Sequence, residues 1–134
     1  MNSLSKNKKK GNYAETYAAG YLRRQNYTLL ARNYSFRGGE LDIVAQSPQK
    51  ELVFVEIKSV WTSKKGSPIH RVSKQKQLKI WKTACHFLHF NGGENQKCRF
   101  DVIAISLDQT PIRFIHLKNA FESNQTIHEC HHAF

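Results

Sequence analysis

Two consecutive apolar segments of this chain each carry an acidic residue at a position where a buried strand is expected. The first segment covers residues 39–45 and carries Asp42, and the second covers residues 52–58 and carries Glu56. A carboxylate among valine, isoleucine and phenylalanine is costly to desolvate unless it is paired or binds a cation. The fold must therefore bring a partner to each acid, and neighbouring strands would let both acids share one cation.

Strand periodicity fixes which side chains meet. Side chains alternate between the two faces of a strand, so Glu56 and Lys58 point the same way. On the first segment the same alternation places Leu41 and Ile43 on one face and Asp42 on the other. A short hairpin through residues 47–50 would lay Asp42 beside Glu56. The polar groups would then gather at one end of an otherwise apolar sheet.

The two carboxylates predict a metal site. Mg²⁺ and Mn²⁺ prefer carboxylate and water oxygens, and they keep several waters when the protein supplies only a few ligands. A bound metal lowers the pKa of such a water and stabilises charge on phosphoryl oxygens, and an ammonium such as Lys58 can orient the water. We therefore predict Asp42 and Glu56 as metal ligands and Lys58 as a catalytic group.

The first helix is expected over residues 12–25, where apolar residues such as Tyr13, Tyr17 and Leu22 recur at spacings of three and four. Glu15 borders this apolar arc. Its carboxylate can reach along the helix edge toward the sheet, and it can equally be a solvated helix acid or the partner of a lysine. The residues alone leave these alternatives open.

A second helix is predicted from a cap at Ser73 to about residue 90, with a buried stripe of Leu78, Trp81, Cys85 and Leu88. Lys74 falls on the side of this stripe and can point toward the strand end that holds Glu56. Its alternative is an ordinary surface lysine near a helix start, where the helix dipole disfavours it slightly.

Strands are expected over residues 27–36, 98–107 and 111–117 in addition to the two acid-bearing segments. The predicted order is αβββαββ. This order favours the α/β class, with a central mixed β-sheet flanked by helices in a sandwich.

Four ordered motifs carry a family resemblance: Gly39-Glu40-Leu41-Asp42, Phe54-Val55-Glu56-Ile57-Lys58, Ser73-Lys74-Gln75 and Arg99-Phe100-Asp101-Val102. The chain resembles the YraN-like family of proposed bacterial endonucleases over residues 11–121, and it is also similar to archaeal Holliday-junction resolvases. Asp42 with Glu56-Ile57-Lys58 resembles the PD-(D/E)XK signature without its proline. The resemblance implies a restriction-endonuclease-like fold, and it favours Glu15 and Lys74 as site residues. Asp101 has Arg99 as a neighbouring ion-pair partner, which indicates a structural role.

Charge predicts a polyanionic partner. Lysine and arginine total 21 against 10 acidic residues, which gives a formal charge of +11. Nucleic acid is the first candidate, and a basic surface kept for solubility is the alternative. Arg37, Lys64 and Lys65 are the candidate phosphate contacts, although these lysines can equally be solvated loop charges. DNA ranks above RNA because most aromatic residues have core-like spacings.

The length of 134 residues suits one domain, predicted over residues 11–121, between a basic disordered tail at 1–10 and a C-terminal tail at 122–134. Three cysteines form no even framework, and no apolar run is long enough to span a membrane, so a cytoplasmic location is expected. The segment His128-Glu129-Cys130-His131-His132 has zinc-binding residue types, but a frayed terminus is the simpler interpretation.

Together these features predict a Mg²⁺- or Mn²⁺-dependent DNA endonuclease that uses Glu15, Asp42, Glu56, Lys58 and Lys74, with branched repair or recombination DNA as one candidate substrate. The alternative is a non-catalytic nucleic-acid-binding protein of the same fold that acts in DNA repair or recombination. A third interpretation directs the same chemistry at RNA. A resolvase-like role predicts a homodimer with two-fold symmetry.

Overall fold

Five strands form one mixed sheet between two helices in the computed structural model, which describes residues 3–60, 72–92 and 96–122. The elements are α1 (Ser3–Arg24), β1 (Thr28–Phe36), β2 (Gly39–Gln46), β3 (Leu52–Val60), α2 (Lys74–Asn91), β4 (Cys98–Ser106) and β5 (Arg113–Leu117). The predicted fold class and the order αβββαββ are confirmed. No helix within the described ranges is long and apolar enough to cross a membrane.

The strands lie in the order β1-β2-β3-β4-β5. β1, β2 and β3 pair antiparallel through short turns, β3 and β4 pair parallel, and β5 returns antiparallel to β4. A parallel pair requires a crossover, and α2 lies in the connection between β3 and β4. This topology makes β3 a central strand with a helix on each side.

Alternation along β3 divides the core into two layers, as predicted. Val53 and Val55 pack against α1, together with Ala18 and Leu22 of that helix. The opposite face of β3 contributes Leu52 and Phe54 to the layer under α2, whose buried residues include Ile80, Ala84 and Leu88. Glu56 continues the face that packs on α2.

Helix α1 begins at Ser3, whereas the sequence predicted a start at residue 12 and a disordered tail over residues 1–10. Lysine is a good helix former, so the lysine-rich segment extends the helix toward the N-terminus. The side chains buried by α1 are mostly small, and Tyr13 and Tyr17 are 65% and 43% exposed. The prediction that these tyrosines belong to the apolar face is wrong, because alanines allow the helix to lie closer to the sheet on a narrower arc.

Helix α2 begins where the sequence predicted. Ser73 is its N-cap, and the Ser73 side chain accepts a hydrogen bond from the backbone N–H of Lys76 at 3.2 Å. The buried face includes Ile80, Trp81 and Cys85, but Leu78 is 44% exposed. The predicted stripe was therefore correct from Trp81 onward and wrong at Leu78.

Strand β1 reverses its faces at Asn33, which has a φ of 52°, in the left-handed region. Before this residue, Arg32 donates a hydrogen bond to Glu15 on α1. After it, Tyr34 hydrogen-bonds to His86 on α2. Residues two apart in a regular strand share a face, so Asn33 marks a sharp local twist of the sheet.

The same reversal occurs in β2 at Asp42, between the pairs that join Arg32 to Ile43 and Tyr34 to Leu41. Ile43 packs in the layer under α1, whereas Leu41 packs in the layer under α2. The prediction that Leu41 and Ile43 share one face is therefore wrong. Asp42 lies between these two residues, and its side chain hydrogen-bonds to β3.

Candidate functional site

The acids of β2 and β3 meet at the point where the pairing of the two strands ends. Ile43 lies opposite Val55 in the last regular pair, so Asp42 and Glu56 come next on the two strands. The backbone N–H of Ile57 donates a hydrogen bond of 2.7 Å to Oδ2 of Asp42. The two carboxyl groups also hydrogen-bond to each other. The sequence therefore predicted this adjacency correctly.

Burial and mutual repulsion make this pair hold a proton. Burial raises the pKa of Glu56 to about 7, helped by the charge of Asp42 and opposed by Lys76. Burial also raises the pKa of Asp42, while the backbone N–H of Ile57 lowers it in part. The hydrogen bond between the two groups raises the pKa of Glu56 and lowers that of Asp42. Two adjacent carboxylates in a poorly solvated place resist being ionised together.

Lys76 supplies the positive charge next to this pair. Its Nζ lies 3.6 Å from Oε1 of Glu56, and its side chain is 45% exposed. Lys74, which the sequence predicted at this place, is exposed at the first residue of α2. Lys76 lies one turn before Ile80 on the buried edge of the helix, so the rotation of α2 brings Lys76 toward β3. Sequence reasoning missed Lys76, and its spacing of four from buried Ile80 was the available signal.

Glu15 approaches the pair from α1, and its residue is only 5% exposed. Its Oε1 accepts hydrogen bonds from Nε of Arg32 at 2.8 Å and from Nδ2 of Asn33 at 3.1 Å. Its negative charge also raises the pKa of Asp42. Glu15 is therefore neither solvated nor paired with a lysine. We call Glu15, Asp42 and Glu56 the acid cluster.

Two of the remaining predicted site residues, Lys58 and Arg37, lie within the described part of the chain. Lys58 is half-buried, two residues beyond Glu56 on the same face of β3. Arg37 is exposed in the turn between β1 and β2. Lys64, Lys65 and the segment His128-Glu129-Cys130-His131-His132 lie outside the described residues.

Asp101 of β4 is a buried acid of a different kind. It accepts hydrogen bonds from Nε and Nη2 of Arg99 at 2.9 and 3.0 Å, and from the backbone N–H of Asn119 at 3.1 Å. Nε2 of His116 lies 2.7 Å from its Oδ2. Burial raises the pKa of Asp101, but these partners outweigh burial and lower it overall. The structural role predicted for Asp101 is confirmed by its ion pair with Arg99.

The two adjacent carboxylates provide oxygen ligands for a divalent cation. Among the described residues, no group of three or more histidine, cysteine or acidic side chains is arranged to hold an ion, so the donor set is limited to Asp42 and Glu56. Mg²⁺ is commonly bound by one or two carboxylates together with waters and substrate phosphates. A cation at this place would offset the burial that raises both pKa values and the charge of Asp42 that raises the pKa of Glu56 further. The chemistry of these donors therefore fits Mg²⁺ or Mn²⁺.

Comparisons with known proteins agree on one family. A sequence model described as "Uncharacterised protein family UPF0102" matches residues 14–105. A UPF0102 protein of Clostridium acetobutylicum is 39% identical over 120 residues, which cover 87% of this chain and 96% of that protein. A UPF0102 protein of Lachnoclostridium phytofermentans is 46% identical over 110 residues, which cover 81% of this chain and 89% of that protein. The matched range includes the acid cluster, Lys58 and Lys76.

One solved structure, "Crystal structure of SSO0001", aligns with a TM-score of 0.36 and 15% identity. The alignment covers 92% of this chain and 57% of that chain. At this score the alignment adds nothing to the fold described above.

Proposed function

The chain belongs to the UPF0102 family, the YraN-like family that its motifs resemble, and we propose that it is a metal-dependent endonuclease that hydrolyses phosphodiester bonds in DNA. The observation that carries this proposal is the hydrogen-bonded pair Asp42 and Glu56, in which burial raises the pKa of Glu56 to about 7. A fold gains nothing in stability from two adjacent, poorly solvated acids. Perturbed acids of this kind are characteristic of functional sites.

The comparison with Asp101 supports a functional interpretation of this pair. Asp101 is also buried, yet an arginine, a histidine and a backbone N–H bond to its carboxylate and lower its pKa. The same chain can therefore satisfy a buried acid completely. Among the residues that the structure describes, the partners of Asp42 and Glu56 are one backbone N–H and one half-exposed lysine, and this set is less complete than the one around Asp101.

Each residue of the site has a role in the proposed reaction. Asp42 and Glu56 would hold Mg²⁺ or Mn²⁺, which when bound supplies an acidified water and a positive charge near the phosphate. Lys58 and Lys76 balance negative charge that develops on the phosphoryl oxygens. Glu15 is an auxiliary acid that Arg32 and Asn33 hold in place, and its negative charge raises the pKa of Asp42.

The basic surface supports a nucleic-acid substrate. The chain carries a formal charge of +11, and Glu15, Glu56 and Asp101 are buried, so these acids offset little of the exposed positive charge. Helix α2 has four lysines and no acidic residue over its 18 residues, and Lys76 on this helix contacts the acid cluster. A polyanion drawn to this surface would arrive at the site.

The proposal is tested with labelled linear, nicked and four-way-junction DNA, incubated with Mg²⁺, Mn²⁺ or chelator. We expect cleavage that requires the metal and that falls at least about 100-fold in Asp42→Asn and Glu56→Gln, because each substitution removes a metal-binding charge. Glu40→Gln is the matched control, since Glu40 is an exposed acid on the same strand as Asp42. The control should cleave as the native protein does.

Binding measured in parallel separates the endonuclease from the non-catalytic alternative. An endonuclease variant such as Glu56→Gln should still bind DNA, because it loses a negative charge and keeps the lysines. Metal-independent binding without cleavage of any substrate would refute the endonuclease and favour the binding protein. Cleavage of RNA in preference to DNA would correct the substrate class.

A further inference from the structure

Helix α2 carries a row of basic residues that starts at the acid cluster and leads away from it. Lys76 contacts Glu56, and Lys79 and Lys82 follow at spacings of three on the exposed side of the helix. With 3.6 residues per turn, these lysines lie with His86 and Phe90 within about 120° of the helix circumference. Lys76, Lys79, Lys82 and Phe90 are exposed and His86 is half-buried, so the row forms a strip of basic and aromatic residues along this side of the helix.

The far end of this strip is a stack of aromatic rings. The ring of His86 stacks on Phe36 with a centroid distance of 4.6 Å and an interplanar angle of 27°, and it contacts Phe90 at 4.6 Å with a tilt of 43°. His89 meets Phe90 edge-on at 4.9 Å. Phe90 is 67% exposed, so the outermost ring of the stack is open to solvent.

The turn between β1 and β2 holds the stack in place. A Cβ at Gly38 would lie 2.7 Å from the ring of Phe36, and a Cβ at Gly39 would lie 2.5 Å from Oγ1 of Thr83 on α2. Only glycine therefore allows this turn to pack so closely against Phe36 and the helix. The exposed Arg37 of the same turn adds another positive charge beside the stack.

We propose that this strip binds the single-stranded part of a nucleic-acid substrate, with phosphates on Lys79 and Lys82 and one unpaired base stacked on Phe90. Charge complementarity identifies the partner, because α2 has four lysines, two histidines and no acidic residue. An exposed ring that extends an aromatic stack is the usual platform for an unpaired base. The inference rests on the proposed endonuclease and specifies its substrate: DNA with a flap, gap or overhang next to the scissile bond.

The length of the helix sets the position of the stacked base. Lys76 and Phe90 are 14 residues apart, which corresponds to about 21 Å along the helix axis. This distance equals about six nucleotides at the B-form spacing of 3.4 Å and about three if the strand is stretched to twice that spacing. The unpaired base should therefore lie about three to six nucleotides from the scissile phosphate.

The test uses the Glu56→Gln protein, which binds without cleaving, and DNA duplexes with a 5′ or a 3′ single-stranded arm or with blunt ends. 2-Aminopurine, whose fluorescence is quenched by stacking, is placed in turn at the first to eighth unpaired positions. We expect quenching to be strongest about three to six nucleotides from the junction on one of the two arms. Phe90→Ala should abolish it and reduce the preference for armed over blunt DNA about 5- to 150-fold.

Tyr13→Ala is the matched control, because Tyr13 is an aromatic residue of nearly equal exposure, 65%, on the helix that covers the opposite face of the sheet. The control should change neither quenching nor preference. Lys79→Ala should weaken binding to armed DNA more than to blunt DNA, and for armed DNA it should reduce the slope of log K against log salt by about 0.7, as for one lost contact to a single-strand phosphate. Melting temperatures of all variants establish that they are folded.

The outcomes separate the two proposals. Quenching that survives Phe90→Ala, or that is lost equally in Tyr13→Ala, would overturn the stacking inference. If the native protein cleaves DNA with metal but Phe90→Ala leaves the preference for armed over blunt DNA unchanged, the stacking inference is also overturned and the endonuclease proposal stands. Quenching that depends on Phe90 without cleavage by the native protein would support the stack and refute the endonuclease.

Discussion

The raised pKa of Glu56 has a consequence for stability that can be measured without any nucleic acid. A rise of the pKa from its ordinary value of 4.5 to about 7 on folding corresponds to about 3 kcal/mol. The folded state holds the proton more tightly than the unfolded state, so stability is highest below the unfolded pKa and is lost as the pH rises through the folded pKa. Between pH 5 and pH 8 this loss amounts to about 2 kcal/mol.

Glu56→Gln removes the titration and keeps the shape and a hydrogen-bond donor. In chelator, the free energy of unfolding of the variant relative to the native protein should therefore increase by about 2 kcal/mol from pH 5 to pH 8. The assay is urea unfolding followed by circular dichroism at several pH values. Glu40→Gln, with an exposed carboxylate, should show no such trend.

At pH 8, Mg²⁺ should reduce the difference in the free energy of unfolding between Glu56→Gln and the native protein, because a cation that binds the folded native protein stabilises it by mass action. The variant keeps one carboxylate of the pair, so Mg²⁺ should stabilise it less. If the free energies of unfolding of native protein and Glu56→Gln change with pH in the same way in chelator, then burial does not raise the pKa of Glu56. A pH-dependent difference that Mg²⁺ leaves unchanged would refute the assignment of this pair to a cation.

Three further predictions concern the framework around the site. Asp101→Asn should lower the free energy of unfolding at pH 7 by about 3 kcal/mol, because buried Arg99 loses its buried acidic partner and keeps only the part-exposed Glu51. Because the folded pKa of Asp101 is lowered, the difference should shrink in urea unfolding as the pH falls below about 4. Gly39→Ala should cost about 1–3 kcal/mol, since its Cβ would lie 2.5 Å from Oγ1 of Thr83, and Thr83→Ala in the same chain should recover part of this loss in thermal unfolding. Ser73→Ala should cost about 1 kcal/mol through loss of the α2 cap, and an unchanged melting temperature would show that the cap contributes nothing.

The features set by local pattern could be predicted from the sequence. Alternation in residues 52–58 placed Leu52 and Phe54 on one face and Val53 and Val55 on the other, and the packing layers have this arrangement. The same pattern with a short hairpin brought Asp42 next to Glu56. Ser73 was identified as a cap because its residue type and position are sufficient for that function.

The features set by tertiary packing could not be predicted. The rotation of α2 decides that Lys76 contacts Glu56 and that Leu78 is exposed. The sequence placed Leu78 instead of Ile80 at the start of the buried stripe, and the residue one turn before Leu78 is Lys74. The reversal of faces at Asn33 depends on a positive φ. Asparagine tolerates a positive φ, but the presence of an asparagine does not predict one. The side chain that pairs with Glu15 follows from that reversal, because it aims Arg32 at α1.

The reversal at Asn33 and Asp42 also connects the architecture to the chemistry. In a regular strand Asp42 would remain in alternation with its neighbours, and its carboxylate would lie over one layer of the core. Because Leu41 and Ile43 enter opposite layers, Asp42 is instead directed along the sheet, where its carboxylate takes the N–H of Ile57. Asn33, opposite this point on β1, bonds to Glu15 with its side chain, so one local twist positions two of the three acids. The acid cluster is thus held by backbone geometry rather than by mutual attraction, which is how a fold can keep together carboxylates that repel each other.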